Sequence, residues 1–225
     1  YAVTLILLSK LASLGLYNSM NRYLTGADNS QVREDYYTVL AASFIASGIM
    51  ALVVILFRGP VAAVLFPTGD GELILLLLTV AVLANVYFNH MLHFLRSQRN
   101  LKSMNLWRSA RIVGEIGCLL VGAVLLNSIV KILFGIVFLY IFFSLLLTVQ
   151  IISVIGFSLP RFQNLRTHLS FGLPLLFSSL AYWVVNTSDR YVITYFLDLD
   201  AVGAYSVIYA LATVIGMISH PVVNV

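Results

Sequence analysis

The chain has 225 residues, of which 60% are hydrophobic and only 10% are charged, and its formal net charge is +4. Soluble domains carry about 25% charged residues, so this composition excludes an ordinary soluble globular protein. Long apolar runs separated by short charged clusters instead predict an integral membrane protein. The single cysteine, Cys118, excludes a disulfide within the chain and any zinc motif built on several cysteines.

Seven apolar segments are long enough to cross a hydrocarbon core as helices, which requires about 20 residues each. In chain order they cover about 1–20, 39–57, 73–95, 107–126, 132–157, 169–197 and 202–225. They are too long, and alternate too little, for β-barrel strands. The sequence therefore predicts an all-α, polytopic transmembrane helix bundle. Because the chain starts without Met inside the first apolar segment and ends inside the last, we expect a fragment of a longer protein.

Basic residues are concentrated in alternate connections between these segments. Together with the residues that flank them, the connections on one side carry nine, namely Arg22, Arg33, Arg96, Arg99, Lys102, Arg108, Arg111, Arg161 and Arg166. The opposite connections contain only Arg58 and Lys131, together with several acidic residues. Because positively charged loops stay in the cytoplasm, we expect the chain to begin on the outer side. The same segregation by loop argues against a nucleic-acid partner.

Polar side chains recur at helical spacing inside several apolar segments, where lipid would reject them. They are Lys10 in the first segment; Asn85, Asn89 and His93 in the third; Arg111 and Glu115 in the fourth; and Tyr182, Asn186, Asp189 and Arg190 in the sixth. We expect these groups to face one another or a wet cavity. Lys10 lies roughly 14 Å from the outer end at 1.5 Å per residue, which is close to the bilayer midplane.

Each of these groups also has a structural interpretation. Arg111 and Glu115 are four residues apart and can form a private ion pair. Asp189 and Arg190 point about 100° apart, so we do not expect them to pair well with each other. His90 and His93 lack a third ligand nearby, so no metal site is expected.

Small residues form another stripe in the fourth segment, at Gly114, Cys118 and Gly122. Their four-residue spacing predicts that another helix packs closely there. No nucleophile elbow, phosphate-binding loop or zinc-protease motif occurs in the chain, and the connections are too short for a catalytic domain.

Residues 169–218 read "LSFGLPLLFSSLAYWVVNTSDRYVITYFLDLDAVGAYSVIYALATVIGMI". This stretch resembles the seventh and eighth helices of Wzx-type oligosaccharide flippases, polysaccharide-biosynthesis membrane proteins of the MOP superfamily. The matching features are Phe171-Gly172 with Pro174, the tetrad Ser188-Asp189-Arg190-Tyr191, and Val202-Gly203 followed by Tyr205-Ser206. "LASLGLYNSMNRYL", from Leu11, resembles the end of that family's second helix.

The resemblance implies a two-lobed MOP/MATE-like fold of which the chain covers helices two to eight. Residues 1–165 then form the remainder of the N-terminal six-helix lobe, and residues 166–225 begin the C-terminal lobe. The implied protein is a transporter in the cytoplasmic (inner) membrane, not an enzyme. It flips a polyprenyl-pyrophosphate-linked oligosaccharide by alternating access, for cell-surface polysaccharides such as the O-antigen of lipopolysaccharide.

The implied task assigns roles to the inward polar residues. Cations offset the cost of moving a pyrophosphate through a low-dielectric region; the candidates are Lys10, Arg111 and Arg190, with Arg22 at the cytoplasmic mouth. Glu115 and Asp189 are the candidates for holding a coupling H⁺ or Na⁺. Asn85, Asn89, His93, Tyr182 and Asn186 form a supporting polar face. The resemblance implies no other cofactor, and its expected partners are the bilayer, the lipid-linked substrate, a polysaccharide polymerase and glycosyltransferases.

Three other functions remain open. Another MOP-type exporter, such as a MATE-like drug antiporter or a lipid II flippase, would share the fold but differ in its cavity. A membrane-embedded polymerase or ligase would need a large outer loop with catalytic residues. An assembly subunit that transports nothing would have fully paired polar stripes and no accessible cavity.

Overall fold

The computed structural model describes residues 2–66, 69–122, 124 and 128–223. The regular elements of these residues are all helical. They are α1 (Ala2–Ser13), α2 (Leu16–Tyr23), α3 (Asn29–Leu56), α4 (Arg58–Leu65), α5 (Gly71–Ser97), α6 (Leu101–Val121), α7 (Ile129–Ile155), α8 (Leu165–Phe196) and α9 (Leu199–Val223), with a 3-10 turn at Phe162–Asn164 before α8. The predicted all-α helix bundle is confirmed.

Four of the helical segments in the described part are long and apolar enough to cross a membrane: α3, α5, α7, and α8 with its preceding turn. The 21-residue α6 is not among them, because it carries Lys102, Arg108, Arg111 and Glu115. The protein is therefore a membrane protein, and helices occupy the positions of all seven predicted segments.

Several predicted boundaries were wrong. The first segment is not one helix, because it breaks after Ser13 into α1 and α2. The second helix begins at Asn29 rather than near residue 39, so most of the predicted loop is the charged first part of α3. Hydropathy alone misses these residues, since a helix end in water needs no apolar side chains.

The described fold divides into two compact units, Tyr1–Ser178 and Ser179–Val225. In the first unit α5 is the central helix and packs against all of α1, α2, α3, α4, α6 and α7. Buried side chains such as Leu78, Val82, Phe88 and Met91 extend along its length. The predicted lobe boundary after residue 165 stays a prediction.

The break between α1 and α2 lies against the backbone of α8. Leu14 and Gly15 both have positive φ angles, of 49° and 66°. A Cβ atom on Gly15 would collide with the carbonyl oxygen of Gly172, and one on Gly172 would lie 3.0 Å from the carbonyl oxygen of Leu14. Glycine at both positions therefore allows direct backbone contact between the α1–α2 junction and α8.

The predicted small-residue stripe packs α6 against α7, as expected. A Cβ on Gly114 would strike Leu139, and one on Gly122 would strike Ile132. Cys118 lies between them and faces Gly135 of α7. Arg111 lies about one turn before Gly114 and Glu115 directly follows it, so the close packing of α6 on α7 also holds these two residues beside α7.

The connection between α7 and α8 is fastened to α3. The Tyr37 hydroxyl donates to the carbonyl oxygen of Gly156 at 2.8 Å. Farther along, the Thr38 hydroxyl lies 2.9 Å from both the carbonyl oxygen and the backbone nitrogen of Arg161. These bonds satisfy backbone groups that would otherwise need water, and they fix the connection on the first unit.

A buried polar cluster continues this attachment into α8. The Asp35 carboxylate accepts from the Asn164 amide at 3.0 Å and lies 3.7 Å from Nε2 of His168. Nδ1 of His168 is 2.8 Å from the Ser19 hydroxyl oxygen. The Ser19 hydroxyl also lies 2.7 Å from the carbonyl oxygen of Leu16. Asp35, His168 and Ser19 are at most 3% exposed, so the cluster ties α2, α3 and α8 together but has no access for a substrate.

The second unit pairs the polar residues of α8 with tyrosines of α9. The Tyr205 hydroxyl donates to the Asp189 carboxylate. The Arg190 guanidinium stacks over the ring of Tyr209 at 4.6 Å and donates to the carbonyl of Asn186 at 3.3 Å. Arg190 also lies 3.6 Å from Asp189, although the sequence predicted that these neighbours would point apart. That distance is long for a charge-assisted hydrogen bond, so the α9 tyrosines are the better partners.

Candidate functional site

A cavity of about 690 Å³ lies in the first unit between α1, α5, α6 and α7. Its polar lining consists of Ser9, Lys10, Ser13, Tyr17, Asn85, Asn89, His93, Arg111, Glu115 and Tyr140. The predicted stripes of the first, third and fourth segments thus converge on one space. The polar residues follow i, i+3 and i+4 steps on each helix, which is why one face of each helix supplies them.

The cavity has a polar and an apolar part. Most apolar residues come from the first halves of α1 and α7 and the end of α6, and one comes from α5; they are Leu5, Ile6, Val86, Leu119, Ile129, Ile132, Leu133 and Ile136. Polar residues lie farther along α1, in α2 and in α5, from Ser9 to Tyr17 and from Asn85 to His93. The space is therefore suited to an amphipathic group.

Arg111 is the most heavily bound group of the lining. Its Nη1 donates to Oδ1 of Asn85 at 2.7 Å, and its Nε lies 3.1 Å from Glu115 Oε1. The Nε contact is an ion pair without hydrogen-bond alignment, since neither atom has an aligned partner among the described residues. The guanidinium also lies 4.9 Å from the ring centre of Phe88 and 5.1 Å from that of Tyr140. The predicted Arg111–Glu115 pair is confirmed.

Asn85 connects α1, α5 and α6 at the wall of the cavity. Its amide donates to the Ser9 hydroxyl at 2.9 Å, and its Oδ1 accepts from Arg111 and from Asn89. Among the described residues, only one amide hydrogen of the Asn85 side chain is left without a hydrogen-bond partner. Asn85 is therefore part of the wall and holds Arg111 in place.

Asn89 and His93 lie along α5 beyond this network. The Asn89 amide donates to Asn85 at 3.1 Å. Nδ1 of His93 is 2.8 Å from the Asn21 amide nitrogen, and the His93 ring stacks on Tyr17 with the ring centres 4.5 Å apart. Both residues remain part of the cavity lining.

Lys10 contributes the remaining cation. Its side chain is half-buried, and it lines the cavity together with Ser9 and Ser13 of α1 and Tyr17 of α2. Among the residues that the structure describes, its ammonium has no ion-pair or hydrogen-bond partner, whereas Arg111 has several.

The other predicted cations are not part of this cavity. Arg22 is exposed at the end of α2, with its guanidinium 4.9 Å from the ring centre of Phe171. Arg190 belongs to the second unit, together with Asp189 and Asn186. Tyr182, predicted to face inward, is 70% exposed. The structure thus brings six predicted residues together in the first unit, namely Lys10, Arg111, Glu115, Asn85, Asn89 and His93. Tyr182, Asn186, Asp189 and Arg190 belong to the second unit.

Ser9 and Tyr140 are lining residues that the sequence did not single out. Ser9 directly precedes Lys10 and binds Asn85, so its position beside a buried cation was the available signal. Tyr140 lies in an apolar run of α7 and resembles an ordinary packing residue in the sequence. Within the described residues, no group of three His, Cys, Asp or Glu side chains could hold a metal ion.

Comparison with known proteins gives a family for this fold and cavity. The model of the polysaccharide biosynthesis protein family matches residues 1–225. No curated protein and no solved structure matches the chain. Because the family model covers the sequence from its first residue to its last, the chain belongs to the polysaccharide biosynthesis protein family.

Proposed function

We propose that the protein is a membrane transporter that flips a polyprenyl-pyrophosphate-linked oligosaccharide across the cytoplasmic membrane. It would act by alternating access and supply a cell-surface polysaccharide such as O-antigen. The observation that carries this proposal is a partly polar cavity of positive net charge among the helices of a membrane protein in a polysaccharide biosynthesis family.

The charge of the cavity favours an anionic substrate. Its charged lining residues are Lys10, Arg111 and Glu115, so with His93 neutral the sum is 2 − 1 = +1. The one carboxylate is already paired with Arg111 at 3.1 Å. This net positive charge would repel a cationic drug, whereas it would stabilise a bound phosphate.

The polar atoms of the lining favour a hydroxylated substrate. Hydroxyl, amide and imidazole groups on α1, α2 and α5 surround the polar part of the cavity. Such groups hydrogen-bond sugar hydroxyls, which a purely hydrophobic site would leave unpaired. No covalent chemistry is required, since transport needs only binding and a change of access.

We also propose that Glu115 binds the ion, H⁺ or Na⁺, that is coupled to transport. This carboxylate lies in the cavity beside Arg111 and is 27% exposed, so an H⁺ or Na⁺ that binds it would release Arg111. Asp189, the other candidate, is already bound by Tyr205 within the second unit. We therefore rank Glu115 ahead of Asp189.

A flipping assay tests the proposed function. The full-length protein is reconstituted into vesicles with a fluorescent polyprenyl-pyrophosphate oligosaccharide, and a membrane-impermeant quencher measures how much lipid becomes accessible with time. We expect faster exchange than in protein-free vesicles and no elongation of the glycan. Glycan elongation would instead indicate a polymerase, and exchange restricted to lipid II would indicate a peptidoglycan-precursor flippase. Uptake of cationic dyes without lipid exchange would overturn the proposal in favour of a drug antiporter.

A further inference from the structure

We propose that the two cations of the cavity have different tasks: Lys10 binds the phosphate of the ligand, with Asn89 and His93 binding adjacent sugar hydroxyls, while Arg111 holds the cavity wall together. This inference rests on the proposed function and assigns its substrate to named atoms. The ligand class is a glycosyl phosphate or pyrophosphate.

Arg111 is already neutralised and anchored by groups of the protein. Asn85 and Glu115 bind it from two helices, and two aromatic rings cover its faces at about 5 Å. A phosphate that bound Arg111 would have to compete with a carboxylate that is already in place. Removing Arg111 would leave the Glu115 charge partly buried without its cation, which is strongly destabilising in general. These contacts are those of a structural ion pair.

Lys10 has the opposite surroundings. None of the described residues pairs with its ammonium, which can donate three hydrogen bonds and faces the same cavity. Since Glu115 neutralises Arg111, Lys10 also carries the net charge of the lining. An anion that enters the cavity is therefore attracted to Lys10 without displacing any protein group.

Two neutral groups next to the network have unused hydrogen-bonding capacity. Asn89 uses its amide on Asn85, and its Oδ1 has no partner in the described part of the chain. The Asn21 amide donates to Nδ1 of His93, so Nε2 carries the ring hydrogen of a neutral imidazole. One acceptor and one donor on successive turns of α5 match the hydroxyl groups of a sugar, which both donate and accept.

Binding measurements with two matched probes test whether Lys10 binds the phosphate while Arg111 has only a structural task. The probes are a short-chain prenyl pyrophosphate and the same lipid carrying a disaccharide, titrated into the full-length protein in a detergent without a sugar headgroup. We expect Lys10→Gln to weaken the binding of both probes by about tenfold or more, since charge-assisted hydrogen bonds contribute about 1.5–3 kcal/mol. Lys10→Arg should retain most of the affinity. Asn89→Leu should weaken only the glycosylated probe.

Controls separate ligand binding from folding. Lys102→Gln removes an equivalent charge on the exposed first turn of α6 and should change neither affinity nor melting temperature. Lys10→Gln should also melt like the wild type, whereas Arg111→Gln should melt several degrees lower.

Three results would overturn the assignment: wild-type affinity in Lys10→Gln, an equal loss of both probes in Asn89→Leu, or loss of binding in Arg111→Gln at an unchanged melting temperature. If the wild type binds both probes but exchanges no lipid in vesicles, the transport proposal fails and the assignment of Lys10 stands.

Discussion

Thr38 shows how much a single side chain can do where a connection must be held in place. It is fully buried, its hydroxyl lies 2.8 Å from the carbonyl oxygen of Glu34 in its own helix and 2.9 Å from that of Arg161, and its oxygen accepts from the backbone nitrogen of Arg161. Thr79 is also buried, but its hydroxyl donates only to the carbonyl of Leu75 in its own helix. The two threonines form a natural pair for comparison.

We predict that Thr38→Val lowers the free energy of unfolding by about 1–3 kcal/mol, because Arg161 loses a partner for its backbone groups. Thr79→Val should change it by less than about 1 kcal/mol, since the Leu75 carbonyl keeps its helical bond. Thermal unfolding of the purified variants measures both. Equal destabilisation by the two substitutions would mean that the attachment of the connection contributes nothing.

For single residues, the sequence predicted where the polar groups lie better than it predicted which groups they contact. Spacing within α6 was enough to pair Arg111 with Glu115, because both lie on one helix. Asn85, Phe88 and Tyr140 come from other helices, and no spacing rule states which helices are neighbours. For that reason the sequence paired Arg111 with Glu115 but did not predict its contacts with Asn85, Phe88 and Tyr140.

In the first unit, close helix packing depends on glycine residues, which have no side chain to keep two backbones apart. Gly172 of α8 touches the backbone of Leu14 and Gly15, whereas a Cβ on Gly48 of α3 would meet nothing within 4 Å. Both glycines lie inside α-helices. Their replacement by alanine therefore has the same effect on helix propensity and opposite effects on packing.

We predict that Gly172→Ala destabilises the protein by about 1–3 kcal/mol through overpacking, while Gly48→Ala is neutral or stabilising by up to about 1 kcal/mol. Melting curves in one detergent compare them directly. A Gly172→Ala protein that melts at or above the temperature of Gly48→Ala would contradict the close backbone contact.

Elements were predicted from hydropathy, and the errors occur where hydropathy carries no information. The break at Leu14 and Gly15 interrupts an apolar run without any polar residue, because the reason for the break is a backbone crossing with a distant helix. The stripe of Gly114, Cys118 and Gly122 was read correctly, since its spacing alone defines a close-packing face.

The orientation of the whole molecule in the membrane follows from charge, and α6 provides a way to test it. At 1.5 Å per residue, its 21 residues extend about 31 Å, close to the roughly 30 Å of a hydrocarbon core. Lys102 lies in its first turn, and Lys131 lies in the first turn of α7, beyond the other end of α6. Both side chains are exposed.

We predict that these positions are on opposite sides of the membrane, with Lys102 inside. In a Cys118→Ala background, Lys131→Cys should react with a membrane-impermeant maleimide on intact cells. Lys102→Cys should react only after the cells are permeabilised. The reverse labelling pattern would invert the orientation, and labelling of both cysteines in intact cells would argue against a spanning α6.

The crossing of Gly15 and Gly172 has a mechanical consequence. Helices that interlock through side-chain ridges resist rotation, because the ridges must leave their grooves. Two glycine backbones in direct contact have no such ridges. We therefore expect α1 to rotate more easily about this crossing than about a contact made by side chains. Lys10 is five residues from Gly15, about 7 Å along a helix, so a rotation of about 10° would displace α1 at Lys10 by about 1 Å.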